Sequence, residues 1–393
     1  MPRIILTGDI LPADRQHTPG IGPGSQFSKT AGESWLSFFK DFSHDHDLIF
    51  GNLESPLVSE EIRIQENKTD FAGDSEFAIW LKKAGYDLVS VANNHILEFG
   101  EKGLKHTAKS LQEAEVQPVG LFDSETGSNL VVVERNIPPS IPPITGGKDT
   151  GLFIPPSMPP KLGGEFLEPQ KNLGSVIKIG FAAFNEVHDI EIPETTARLS
   201  EQAVKQSIRE LKKRGADIIC LSLHWGNEYV HIPARWQIEF ARKAIDLGAD
   251  LIIGHHPHVI QPVEQYKNGW IFYSLGNFIF DMMWNRSVCT GMMAVLEFDK
   301  DGIKSCNRHA VQVQNDYMPV LVEGDPWFEK VLSDSTELMQ NMLEKDADEY
   351  DRYYNKLVKR NRRNARIGMK VQLLRQWFSI SKKGRNKILR GWF

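Results

Sequence analysis

The chain has little of what would make it a disulfide scaffold, a zinc knuckle or a membrane span. Its 393 residues include three cysteines, Cys220, Cys289 and Cys306, too few and too scattered for either framework. Cys220 lies inside an apolar run and reads as a small buried hydrophobe. No stretch reaches about 18 consecutive apolar residues, so no spanning helix is expected. The first strand pattern starts almost at Met1, leaving no room for a signal peptide, and a cytoplasmic protein, possible contact at a membrane surface included, is expected. There is no GxxxxGK[ST] phosphate loop and no repeat of fixed period. Acid is also missing locally. From Asn355 to Phe393 there are thirteen Lys or Arg and no Asp or Glu, against a whole-chain net charge of −5, so the rest of the chain carries −18.

What is present is an ordinary globular composition, 41% hydrophobic and 25% charged, long enough for one large core with an appendage. Six apolar runs each end in polar or metal-binding residues. They are IILTGD (Asp9), LIFGNLE (Asn52, Glu54), LVSVANNH (Asn93, Asn94, His95), IICLSLHWG (His224), LIIGHHPH (His255, His256, His258) and IFYSLGN (Asn277). Short β-rich runs of this kind read as strands buried on both faces, and such sheets bind ligands beyond the strands' carboxyl ends. Helices are expected over 76–87, ending at Gly85, over 103–115, over 200–219 with Ser200 as amino-terminal cap, and over 234–247, closing at Gly248. The alternation is α/β. The runs VVVE (131–134) and VIKIGFAAF (176–184) can pair across a Pro/Gly-rich insertion, 137–172, read as an extended surface loop. WIFYSLGNFIF and MMAVLEF read as antiparallel members of a second sheet. From Asp325 the chain reads as helical and highly charged.

Taken singly, Asp9 is a turn former at a strand end, Glu54 a solvated carboxylate and His224 a hydrogen-bonded core imidazole. Three imidazoles within HHPH have little use in a core. Five strand ends collecting ligand chemistry together point to a metal site. Carboxylate and amide oxygens with several imidazoles suit divalent Mn, Fe or Zn, and two ions sharing one carboxylate would suit hydrolysis. In extended structure His256 and His258 point the same way, which favours His256 over His255 as a ligand. Arg15 is a candidate contact for an anionic substrate. The basic tail 355–393, with Trp377, Phe378, Trp392 and Phe393, suits either an anionic lipid surface or packing on the acidic body. No nucleic-acid module is present.

In order, GDIL, GNLESPL, ANNHILEFG, LHWGNEY, GADLIIGHHPHVIQPVE and YSLGNFIFD resemble the CapA family of capsule and poly-γ-glutamate synthesis proteins, over roughly residues 3–300. That family is similar in turn to calcineurin-like metallophosphoesterases. The resemblance implies a four-layer αββα sandwich of the metallo-dependent phosphatase type over 1–320, with a helical C-terminal extension over 321–393. It implies that Asp9, Glu54, Asn94, His224, His256 and His258 hold two metal ions, Glu54 bridging, and that catalytic His95 stands beside the leaving group. Asn52, Asn93, Glu228, His255, Glu264 and Asn277 would support them or touch substrate. The implied activity is hydrolysis of a phosphoester or related anionic bond in capsule or exopolymer biosynthesis. The alternative is a non-hydrolytic factor that binds polymer or organises a synthesis complex. The chain departs from the usual phosphoesterase pattern at Leu11, where a histidine is normal, and at Asn52 and Glu54, where an aspartate is.

Overall fold

The computed structural model describes residues 1–14, 20–30, 33–40, 47–66, 71–136, 176–187 and 196–377. Arg15, the insertion 137–172 and the tail beyond Trp377 lie outside the described residues.

In chain order the strands are β1 (Arg3–Ile10), β2 (Leu48–Leu53), β3 (Leu57–Val58), β4 (Gly73–Asp74), β5 (Tyr86–Ser90), β6 (Gln117–Val119), β7 (Val131–Asn136) and β8 (Val176–Asn185). There follow β9 (Ile218–His224), β10 (Leu251–His255), β11 (Val263–Tyr266), β12 (Gly269–Phe272), β13 (Asn277–Ile279), β14 (Thr290–Asp299), β15 (Gly302–Val313) and β16 (Pro319–Val322). Two sheets hold most of them. The first has the order β16-β15-β14-β1-β2-β5-β6, with β13 also paired to β1, and the second β11-β12-β10-β9-β8-β7. In the first, β1, β2, β5 and β6 run parallel; in the second, β8, β9, β10 and β12 do.

The sequence dictates three apolar layers. Alternate residues of the central strands point to opposite faces. Ile4, Leu6 and Phe50 from the first sheet meet Phe181, Cys220 and Ile253 from the second in a core between the sheets. Ile5, Ile49 and Tyr86 face outward onto the helices Glu33–Lys40, Phe77–Lys83 and Gly100–Glu113, where Trp35 stacks on Tyr86. Leu221, Leu223 and Ile252 face the other way onto the helices Glu201–Lys213 and Arg235–Asp246. The result is a four-layer αββα sandwich. Every residue of β2, β9 and β10 is buried, as the continuous apolar runs require.

Helix ends follow local chemistry. The Ser200 side chain accepts from Ala203 N–H and caps its helix, while Gly85 and Gly248 take positive φ just past theirs. β7 and β8 pair antiparallel. The segment 269–298 corrects the expectation of one antiparallel second sheet: β12 runs parallel to β10, whereas β13 pairs parallel with β1 and β14 antiparallel with β1, both in the other sheet. The chain crosses between sheets at 273–276 because Ser274-Leu275-Gly276 offers a turn with Gly276 at positive φ. The helices Pro326–Leu343 and Ala347–Gln376 bury Phe328 and Leu332 in the core between the sheets and Met339, Tyr350 and Tyr354 in the outer one.

Candidate metal centre

The parallel strands of both sheets end at one rim, so their last residues face each other. In the first sheet Asp9 is level with Asn52 on β2 and Asn277 on β13. In the second, His224 is level with His255. Close approach beneath this rim requires glycine at two points. A Cβ on Gly8 would meet Gly276 O at 2.0 Å, and one on Gly254 would meet Tyr273 O at 1.9 Å.

These strand ends and the loops after them bring Asp9, Asn52, Glu54, Asn93, His224, His255, His256, His258 and Asn277 into one buried cluster. Single ligand atoms of Glu54, His224 and His256 lie within 4.8 Å of one another, and so do those of Asp9, Glu54 and His258. Glu54 belongs to both triads. His224 donates from Nε2 to Asn94 Oδ1 at 2.9 Å. His255 donates from Nδ1 to Asp9 Oδ1 at 2.9 Å, and His258 from Nδ1 to Asn277 Oδ1 at 2.9 Å. Asn52 donates to Asp9 Oδ1 at 2.9 Å and lies 3.4 Å from Glu54 Oε2. Asn93 donates to Asn52 Oδ1 and to Leu53 O, tying the β5 loop to β2.

The histidine pair is not held as extended strand. His256 and His258 have φ of 93° and 56°, left-handed backbone, and both follow the end of β10. The spacing-two argument is therefore corrected: a tight turn through Pro257 directs the two rings, whose centroids are 5.7 Å apart. His255, not His256, is the one bonded to the Asp9 side chain through its ring.

Electrostatics divide the cluster. Burial alone would raise the Asp9 carboxyl, but hydrogen bonds from His255 and His258 and their charge hold it well below the ordinary value. Burial and the Asp9 charge push Glu54 well above. Burial, then neighbouring imidazole charge, keeps His224 and His256 well below the usual histidine range. His258 is the exception: burial opposes its charge, yet Glu54 and Asp9 raise it to about 9.

Among the described residues three buried polar atoms here have no hydrogen-bond partner: Glu54 Oε1, His255 Nε2 and His256 Nδ1. The nearest imidazole nitrogen to Glu54 Oε1, His258 Nε2, is 3.5 Å away. Leaving such atoms unpartnered costs about 1–3 kcal/mol each. Divalent cations are the ligand class that satisfies carboxylate oxygen and imidazole nitrogen together, so the donor set fits the expected metal.

The remaining candidates divide. His95 lies at the rim, half-buried, stacked on Phe71 with centroids 4.8 Å apart, its Nδ1 donating to Glu98 Oε1 at 3.0 Å. Glu228 reaches to 3.9 Å from His258 Nε2. Glu264 is not brought to the cluster: on edge strand β11, it accepts from Tyr273 O–H at 2.6 Å and pairs with Arg242 at 2.7 Å. Glu98 was not legible as a participant, although its i+3 spacing from His95 was the available signal. Of the basic tail, residues 355–377 lie against the body. Asn361 donates to Tyr229 O at 2.7 Å, and Gln372 donates to Asp281 O and accepts from Met283 N–H.

The family described as "Bacterial capsule synthesis protein PGA_cap" matches residues 3–137 and 171–282. The chain belongs to this family. All the residues of the two triads fall within the match, and both C-terminal helices fall outside it. The chain is 30% identical over 249 residues to the capsule biosynthesis protein CapA of Bacillus anthracis, covering 61% of this chain and 52% of that one. It is 31% identical over 263 residues to the PGA biosynthesis protein CapA of Bacillus subtilis (strain 168), covering 65% and 59%. The match thus spans between half and three-fifths of these relatives' length. Among solved structures, Thermus thermophilus sulfate thiohydrolase SoxB in complex with glycerol aligns with a TM-score of 0.42 at 13% identity, covering 87% of this chain and 61% of that one. Among the described residues no helix is long and apolar enough to cross a membrane.

Proposed function

We propose that the protein is a divalent-metal-dependent hydrolase of a phosphoester or related anionic bond, serving assembly of a surface polymer. The observation that carries this reading is Glu54, a fully buried carboxylate shared by two carboxylate–imidazole triads, whose Oε1 has no hydrogen bond among the described residues. One ion would be held by Asp9, Glu54 and His258, and a second by Glu54, His224 and His256 with Asn94 beside them. Divalent ions in such a site supply Lewis-acid polarisation of the scissile group and activation of water.

The chain's own residues do the rest. Asn52 and Asn93 brace the two carboxylates, and Asn277 fixes which nitrogen of His258 carries its proton. Glu98 accepts from His95 Nδ1, which leaves Nε2 as the nitrogen that gives a proton to the departing oxygen. His95→Ala is expected to lower turnover of an activated phosphodiester by roughly 10²–10⁴-fold with metal content unchanged. His256→Ala/His258→Ala is expected to remove bound Mn²⁺ in elemental analysis. Equal metal content in wild type and the double variant, with no turnover across phosphoester and amide substrates, refutes the reading.

A second reading, a polymer-binding assembly factor without turnover, is favoured by one position. Leu11 occupies the place of the usual imidazole and is fully buried in an apolar cluster with Val259, Phe280 and Met282. Bound metal and polymer without cleavage in the same assay would select it.

A further inference from the structure

A cavity of about 570 Å³ opens beside the metal-ligand cluster. His256 lines it together with the loop residues Asn227, Glu228 and Tyr229, and its far wall is the helix Ala347–Gln376, through Arg362 and Arg366. This wall is fixed by the sequence of the helix. Val358 and Ala365 are buried, Arg362 donates from Nη2 to Asn227 Oδ1 at 3.0 Å, and a Cβ on Gly368 would meet Trp284 at 2.5 Å, so the backbone lies tight on the body there. Positions 362 and 366 share one helix face.

We propose that Arg362 and Arg366 form an oxyanion-binding wall, taking a carboxylate or phosphate of the substrate beside the metal centre. Calling that ligand substrate rests on the hydrolase reading; the binding itself does not. Among the described residues neither guanidinium has a carboxylate within ion-pair distance, although many other surface Lys and Arg are so paired. Two adjacent like charges on a helix repel, and they sit here over a body that is otherwise acidic. A guanidinium presents a planar fork of donors matched to carboxylate or phosphate oxygens. His256 lines the same cavity as both arginines, so the wall faces the cluster. The cavity is also lined by Glu186, which accepts from Gly226 N–H at 3.2 Å, and by Glu228. Those carboxylates suit N–H donors on the same ligand and repel its oxyanion toward the two guanidinium groups. The wall lies outside the residues that match the family.

The test uses the full chain and calorimetric titration with two probes, an oligo-γ-glutamate and inorganic phosphate, with Mn²⁺ present. The variants are Arg366→Gln, whose side chain has no hydrogen bond or ion pair among the described residues, and Arg362→Gln/Arg366→Gln. The double variant is expected to weaken binding of at least one probe roughly tenfold or more, with Mn²⁺ content and unfolding midpoint unchanged. The probe that responds identifies which oxyanion the wall takes. If neither probe binds the wild type, or both bind the double variant with unaltered affinity, the proposal is overturned. Loss of binding to anionic phosphatidylglycerol vesicles, with both probes unaffected, overturns it in favour of a lipid surface. Because the readout is binding, a protein without turnover still tests this wall, whereas a wild type that neither holds Mn²⁺ nor turns over any substrate fails the hydrolase reading alone.

Discussion

At the scale of single residues, the cluster is a set of opposed titrations. His258 is raised to about 9 by Glu54 and Asp9 against its burial. With His258 as a ligand, as proposed, its imidazole must be neutral, so metal uptake near pH 7 would expel the His258 proton. Affinity for Mn²⁺ is therefore expected to climb as pH rises toward 9, and titrations in buffers of different ionisation enthalpy should show a released proton that His258→Asn removes. Affinity flat between about pH 6 and 9 contradicts this. The metal-free protein has the reverse dependence. With a folded pKa above the ordinary 6.5, His258 contributes stability that is complete below that value and is lost as pH rises through about 9. The membership of the cluster was legible in the sequence because strand-end Asp, Glu, Asn and HHPH are odd company for apolar runs. Ring direction was not, because positive φ at His256 and His258 depends on how the turn after β10 is held, and alternation says nothing beyond the strand. Glu264 misled for a similar reason: it sits in a matched motif, but Arg242 and Tyr273 claim it on the sheet edge.

At the scale of elements, the site is a product of strand ends and the glycines beneath them. Gly8→Ala would drive a methyl group into Gly276 O and displace Asp9, the next residue. We expect a loss of about 3 kcal/mol from overpacking, seen as a lower urea midpoint, together with reduced Mn²⁺ content. Normal metal content in that variant would show that the strand can give way without moving Asp9. Helix positions were readable from caps and stops, with Ser200, Gly85 and Gly248 performing as their chemistry dictates. The path of β12, β13 and β14 was not. An apolar run specifies a strand but not its sheet, and WIFYSLGNFIF is divided between two sheets by a turn of three residues.

At the scale of the whole molecule, charge is segregated, with the basic tail set against an acidic remainder. Its described part, to Trp377, lies along the rim of the body, so the asymmetry is at least partly satisfied within the chain. The cluster draws its residues from both sheets, so a cation held there would contribute to global folding. Saturation at about 100 times Kd should add about 2.7 kcal/mol, read as a higher unfolding midpoint in Mn²⁺ than in EDTA. An unchanged midpoint would mean that the cation does not bind the folded state in preference to the unfolded one.

The crossing at 273–276 limits how the molecule can breathe. Leu275 N–H is bonded to Gly254 O in one sheet while Gly276 O accepts from Asp9 N–H in the other. The two halves cannot part like a hinged shell along their common interior without tearing these links, so any long ligand would have to lie across the open rim and could not be clasped between the sheets.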